Sequence, residues 1–195
     1  MFEGLLVDLV PYGKDFLDRE NEWANAEASF WGSGGDRRVV SRAQTQARLQ
    51  RWAEALESGH DTGVAFGIRA KDGTPLGFMG LTWVLPYHRL AMLGAKIGDP
   101  AYWSGGYGTD ALLLVIDYAF DWLDMHKLWL TTTGFNRRVM RQMEKVGFTL
   151  ESRARRETLA DGQWHDGLFY GLLRTEWPGR DAKIEQLGLR VRAEG

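Results

Sequence analysis

The chain has 195 residues, 44% hydrophobic and 26% charged, with a formal net charge of −2. That is the balance of an ordinary globular domain with an adequate core, and overall charge suggests no nucleic-acid partner. With no cysteine, a disulfide framework and a thiolate zinc site are excluded and no metal is expected.

Leu5 to Val10 (LLVDLV) reads as a first strand ended by Pro11. Tyr12 to Trp23 carries Phe16, Leu17 and Trp23 at roughly helical spacing. Asn25 to Val40 reads as a loop, with Gly32, Gly34 and Gly35 beside Phe30 and Trp31, the kind of loop that lines a binding site. Ser41 can cap the next helix, Arg42 to Glu57, whose apolar face is Leu49, Trp52, Ala53 and Leu56. Three strands follow: Val64 to Arg69, Leu76 to Leu85 and Arg89 to Gly98. Lys71-Asp72-Gly73-Thr74 supplies hairpin chemistry between the first two. Gly77 and Gly80 predict a bend or a close backbone approach, and Gly94 a bulge. After a glycine loop, Asp110 to Leu123 has a 3.6-residue period, Leu128 to Thr133 is rich in β-branched residues, and Arg137 to Val146 is a helix stopped by Gly147. Phe148 to Thr158 and Trp164 to Leu173 are strands joined by the turn Ala160-Asp161-Gly162-Gln163.

The order predicts an α+β fold with a mixed, mostly antiparallel sheet of about seven strands flanked by about four helices, and a central parallel crossover. Residues 1–177 form a single domain in this reading, and residues 178–195 a charged C-terminal tail or helix. No apolar run approaches the roughly 20 residues of a membrane span. The N-terminus shows no basic region followed by a long apolar run. The expectation is a cytoplasmic protein without a membrane partner. The tail and nine tryptophans are compatible with a homodimer.

The loop Ser104-Gly105-Gly106-Tyr107-Gly108-Thr109 enters a helix N-terminus, where unpaired N–H groups and the dipole favour an anion. No Lys follows it, which excludes a P-loop. Gly106 to Ala111 fits the dinucleotide fingerprint literally, but Asp99 to Trp103 separate it from the preceding strand. The strand after it also lacks a ribose-binding acid at its end.

The run Trp103-Ser104-Gly105-Gly106-Tyr107-Gly108, with Asn136 and Glu144-Lys145-Val146-Gly147-Phe148 downstream, resembles the core motif of the GCN5-related N-acetyltransferases. The ending Asp161–Asp166 and Gly171–Trp177 is similar to the branch of ribosomal-protein N-terminal and spermidine acetyltransferases. The resemblance implies acetyl-CoA as co-substrate and a primary amine, small molecule or protein N-terminus, as acceptor. It implies that backbone N–H groups of Trp103, Ser104, Gly105, Gly106, Tyr107, Gly108 and Thr109 hold the diphosphate without a side-chain cation. Lys96, Ile97 and Gly98 would pair with the pantetheine arm as an added strand, and Asn136 would bond it from the far side.

The chain departs from the family at the proton-handling positions. The family's usual acidic Tyr is here Met143, and a frequent Glu is Thr131. Relatives often carry an acid near Met92, and Trp103 replaces the usual Gln or Arg of the loop. Thr131, Thr132 or Thr133 could hold a relaying water, with Thr131 and Thr133 on one face. Asp99, His165 and His126 are the remaining candidates, Asp99 and His126 reading best as a turn residue and a helix-end residue. For the acceptor, the segments Trp23–Val40 and Trp83–His88 offer Trp31, Trp83 and Tyr87 beside carboxylates, suited to a cation. The expected activity is direct N-acetyl transfer by positioning and water-relayed proton removal. The alternative is a non-catalytic acyl-CoA-binding sensor or regulatory module.

Overall fold

The computed structural model describes residues 1–32, 34–36, 39–57 and 63–191. In chain order these contain β1 (Phe2–Glu3), β2 (Val7–Pro11), α1 (Lys14–Asn25), α2 (Glu27–Gly32), α3 (Arg42–Glu57), β3 (Val64–Ala70), β4 (Pro75–Leu85) and β5 (Leu90–Ile97). Then follow α4 (Tyr107–Asp117), β6 (Lys127–Thr133), α5 (Arg137–Val146), β7 (Thr149–Ala160), β8 (Gln163–Leu173) and α6 (Arg180–Leu187). The sheet has the order β1-β2-β3-β4-β5-β6-β8-β7, antiparallel throughout except between β5 and β6. That is the expected α+β architecture with its single parallel crossover.

The local chemistry explains the boundaries. Ser41 Oγ accepts from Gln44 N–H while Gln44 Oε1 accepts from Ser41 N–H, a reciprocal cap on α3. Asp161 and Gly162 both take positive φ (47° and 77°) in the two-residue turn joining β7 to β8, the conformation a twisted hairpin favours. Gly147 stops α5 at φ 111°, and its N–H and that of Phe148 both bond Met143 O.

Several expectations change. The described residues form eight strands and six α-helices rather than about seven and four. β1 is two residues long, too short to show alternation, and exists because Phe2 and Glu3 pair with Leu9 and Asp8. The segment read as a loop contains α2, and its residues 33, 37 and 38 lie outside the described set. So do residues 192–195 of the tail and the side chains of Trp52, Ala53 and Leu56. Gly94 is no bulge, since it pairs in register with Gly80; the irregularity falls between Thr82 and Leu85, where Trp83 takes φ 48°. The α4 pattern ends at Asp117, and residues 118–122 form a wider π turn. The Arg174 guanidinium takes the Phe120 carbonyl there and reaches Asp121 and Asp124.

Helices pack on both faces of the sheet. On one, α4 buries Leu112–Ile116 against Leu9, Ile68, Leu81 and Leu128. α6 lies beside α4 and α5 through Ile184 and Leu187. On the other face α1 brings Phe16 and Trp23, each over a glycine: a Cβ on Gly67 would stand 2.4 Å from the Phe16 ring, and one on Gly98 2.2 Å from Trp23. No helix among the described residues is long and apolar enough to cross a membrane.

Asp110 ties the layers at the head of α4. Its fully buried carboxylate accepts from Leu6 N–H at 2.7 Å and Val7 N–H at 3.1 Å, and pairs with Arg180 of α6 at 3.1 Å.

Candidate active site

The site begins where the parallel pairing fails. β5 and β6 pair over Leu90–Lys127, Ala91–Leu128 and Met92–Trp129, and no further. Beyond Met92 each strand stays bonded to its antiparallel neighbour, β4 or β8, but not to the other. A cleft of about 310 Å³ opens between them. One wall is Leu93 to Ile97, with an open backbone edge. The other is Leu130 to Thr132, continued by Asn136, Val139, Gln142 and Met143 of α5.

Gly106, Gly108 and Thr109 close one end of the cleft with Tyr102 and Trp103. Asp99 starts a 3₁₀ turn at Pro100–Tyr102, its carboxylate accepting from Ala101 N–H at 2.9 Å. Gly105 and Gly106 then take φ 106° and 98°, a region where side chains are strained. Gly106 is the N-cap of α4 and has no side chain to cap it, so the first-turn N–H groups face the cleft end. A Cβ at Gly106 would lie 2.5 Å from Leu189, so the bare loop is also required by packing. This cradle fits an anion, and the open β5 edge fits an amide-bearing chain.

Asn136 caps α5, its Oδ1 accepting from Val139 N–H at 3.4 Å, and is 5% exposed in the cleft wall. Its neighbour Arg138 stacks on the Trp103 ring at 4.0 Å and lies 5.7 Å from the Trp31 ring. Trp103 in turn donates Nε1–H to Ile97 O at 2.9 Å. Arg138 has no ion pair within 4.0 Å among the described residues. Burial pulls its pKa below the usual guanidinium value, partly opposed by Glu27. A cation therefore stands beside a glycine loop that has none.

A second cavity, of about 400 Å³, lies on the α1–α3 side of the sheet. It meets the cleft at Gly32, Gly94, Ala95 and Lys96. Its lining is largely apolar, including Phe78, Leu81, Leu49 and Val64, around one polar knot. There Glu20, 3% exposed, accepts from Lys96 Nζ at 2.6 Å, Tyr12 hydroxyl at 2.7 Å and Arg48 at 3.4 Å. Lys96 also lies over the Trp23 and Phe78 rings at 5.7 and 5.8 Å. Burial lowers the Lys96 pKa while Glu20 raises it, the burial prevailing. Burial, then Glu20, pushes the Tyr12 phenol well above its ordinary value. Removing either member of such a buried pair costs about 3–5 kcal/mol.

The structure brings many of the sequence candidates together. Lys96, Ile97, Trp103, Gly106, Gly108, Thr109, Asn136, Thr131 and Trp31 all line the cleft. Ser104, Gly105 and Tyr107 complete the loop beside it. Gly98 does not line it; that glycine is required by Trp23. The Lys96 backbone belongs to the β5 edge, and its side chain turns to Glu20 where the two cavities adjoin. Met143, 4% exposed, lies in the cleft wall. Thr131 and Thr132 both line the cleft, while the Thr133 hydroxyl is buried with no bonding partner among the described residues. Asp99 is a turn residue, His126 is exposed, and His165 packs edge-on to Phe135 at 4.8 Å. Trp83 and Tyr87 lie at the β4–β5 tip, 70% and 92% exposed, and line neither cavity.

Sequence reasoning missed Glu20, Tyr12, Arg48 and Arg138. Glu20 had a readable mark: it sits between Phe16 and Trp23 on the buried stripe of α1, where a carboxylate needs partners. Arg138 had none, because its ring partner Trp103 is remote in the chain.

Comparison with known proteins agrees with this geometry. The family model described as Acetyltransferase (GNAT) domain matches residues 9–149. The Bacillus subtilis protein named Probable N-acetyltransferase YjcK is 33% identical over 133 residues, 66% of this chain and 71% of that one. Spermidine N(1)-acetyltransferase of Escherichia coli K12 is 30% identical over 97 residues, 50% of this chain and 52% of its own length. The structure of Mycobacterium smegmatis RimJ in complex with CoA-disulfide superposes with a TM-score of 0.78 at 20% identity, covering 96% of this chain and 94% of that one. With a family match over most of its length and the cleft and loop in place, the chain belongs to the GNAT acetyltransferases.

Proposed function

We propose that this chain moves an acetyl group from acetyl-CoA directly to a primary amine. The observation that carries this reading is the meeting of two cavities along Gly94–Lys96 of β5. A donor in the cleft and an acceptor in the other cavity would face each other there. Acetyl-CoA supplies a thioester whose acyl carbon is already activated.

The chain's own residues bind and orient. First-turn N–H groups of α4 and the Arg138 guanidinium receive the diphosphate end. The open edge of Leu93–Ile97 and Asn136 hold the arm from opposite walls. Backbone N–H groups on that edge polarise the acyl oxygen. Thr131 and Thr132 line the cleft, where water can take the amine's proton. Positioning two reactants in this way provides a large part of the rate.

The acceptor cavity favours a single amine carried on an apolar or uncharged remainder. Among the described lining residues the one carboxylate, Glu20, already accepts from Lys96, Arg48 and Tyr12. It is poorly suited to a second or third ammonium of a polyamine.

The test is thiol release from acetyl-CoA with a panel of monoamines, spermidine and peptides with free N-termini. Turnover with at least one monoamine or peptide, exceeding that with spermidine, is expected. Tight CoA binding with no turnover on any amine would establish the non-catalytic alternative instead.

A further inference from the structure

Met143 leaves the departing sulfur without the family's usual proton donor, and in a cleft shielded from water a general acid would neutralise the charge that develops on that sulfur. Two titratable side chains besides Lys96 are among the described residues lining the donor cleft: Tyr102 and Arg138. Arg138 holds its proton too firmly to be an acid. Tyr102 stacks on Tyr107 at 5.0 Å, at the glycine-loop end. Lys96 is different, since it alone among titratable described residues lines both cavities. It stands at the junction where sulfur, acyl carbon and amine would converge.

We propose that the Lys96 ammonium protonates the departing thiolate, with Glu20 as its positioning residue. The inference rests on the acetyl-transfer reading above. As the amine nitrogen's lone pair forms the C–N bond, the C–S bond breaks with its electron pair on sulfur. Lys96 Nζ gives one proton to that sulfur. The proton shed by the nitrogen leaves through water, and water returns one to Lys96, so charge and protons balance.

The surroundings suit the task. Glu20 from α1 fixes Nζ at 2.6 Å and keeps it charged. Arg48 from α3 and the Tyr12 hydroxyl, just before α1, satisfy the rest of that carboxylate. The rings of Trp23 and Phe78 flank the ammonium. Burial lowers the Lys96 pKa against the opposing pull of Glu20, which eases release of its proton. Glu20, Arg48 and Tyr12 are the charged or titratable groups facing Lys96 from the described elements around it.

The test compares the unaltered chain with Lys96→Arg and Lys96→Met, using acetyl-CoA and the best amine from the panel, with CoA affinity measured by calorimetry. Lys96→Arg keeps the pairing to Glu20 but cannot release a proton. Its kcat should fall about 100-fold while CoA affinity changes less than about threefold. In the unaltered chain kcat should fall at alkaline pH as Lys96 loses its proton, and Lys96→Met should lack that limb. If Lys96→Met does not fold, Lys96→Arg decides alone. Near-normal kcat in Lys96→Arg, or an alkaline limb surviving in Lys96→Met, would overturn the role of Lys96 and leave acetyl transfer standing. No turnover by the unaltered chain on any amine would overturn both.

Discussion

Replacing Asp110 by Ala tests whether the glycine loop is held by the layers behind it. The carboxylate is fully buried at the head of α4, accepts from Leu6 and Val7 N–H groups, and pairs with Arg180. Ala would leave two buried donors and one guanidinium, itself 17% exposed, without their acceptor. Each hydrogen bond to a charged group contributes about 1.5–3 kcal/mol, and losing one partner of a buried pair costs about 3–5 kcal/mol. These overlap rather than add, so the expected loss is about 4 kcal/mol. For a domain of this size that is about 8–16 °C in Tm. Asp110→Asn keeps the volume and one acceptor oxygen but loses the charge, so about half that loss is expected. Urea denaturation and calorimetric scanning of both variants give the values. CoA affinity should fall as well, because α4 then loses its anchor to β2 and α6. An Asp110→Ala chain within about 1 kcal/mol of the unaltered one would refute the reasoning, as would Asn and Ala variants of equal stability.

Three further outcomes follow from other positions. A Cβ on Gly77 would stand 1.8 Å from Lys96 O, so Gly77→Ala must push β5 from β4. It should cost about 1–3 kcal/mol and weaken CoA binding, read by thermal scanning and calorimetry. Arg138→Ala should weaken CoA about tenfold, with the loss shrinking at high salt and the acceptor KM unchanged. Asp117 accepts from Trp177 Nε1–H at 2.7 Å, and burial raises its pKa despite that bond. A carboxyl raised in the folded state destabilises while charged. Stability linked to it should therefore rise as pH falls through the raised folded value toward the ordinary aspartate pKa of about 3.9. Asp117→Asn should be at least as stable at pH 7 and lack that rise, which Tm against pH will show.

How much was legible follows from the range of each interaction. The cap at Ser41 and the stop at Gly147 act within one turn of their own helix, so residue type and spacing reveal them. The same holds for the glycine loop, whose φ angles only glycine tolerates cheaply and whose position before α4 marks an anion cradle. The family motif joined these local features at fixed spacing, and so the fold and the donor were readable from the chain alone. β1 and α2 were too short for any period to show. The aromatic pair Trp83 and Tyr87 looked like acceptor residues because composition cannot say which way a hairpin tip points.

The sequence by itself determined the longer elements, their order and the cradle, because these depend on neighbours within a few residues. Only the tertiary structure decided where the parallel pairing stops, and so where donor and acceptor would meet. It also decided that Glu20 and Lys96, 76 residues apart, form one buried pair, and that Arg138 stacks on Trp103. A charge in a low-dielectric interior must find a partner, but the chain can supply that partner from any element the fold brings near. Sequence spacing therefore gives the need for a partner, as at Glu20, while its identity and the chemistry it permits come from packing.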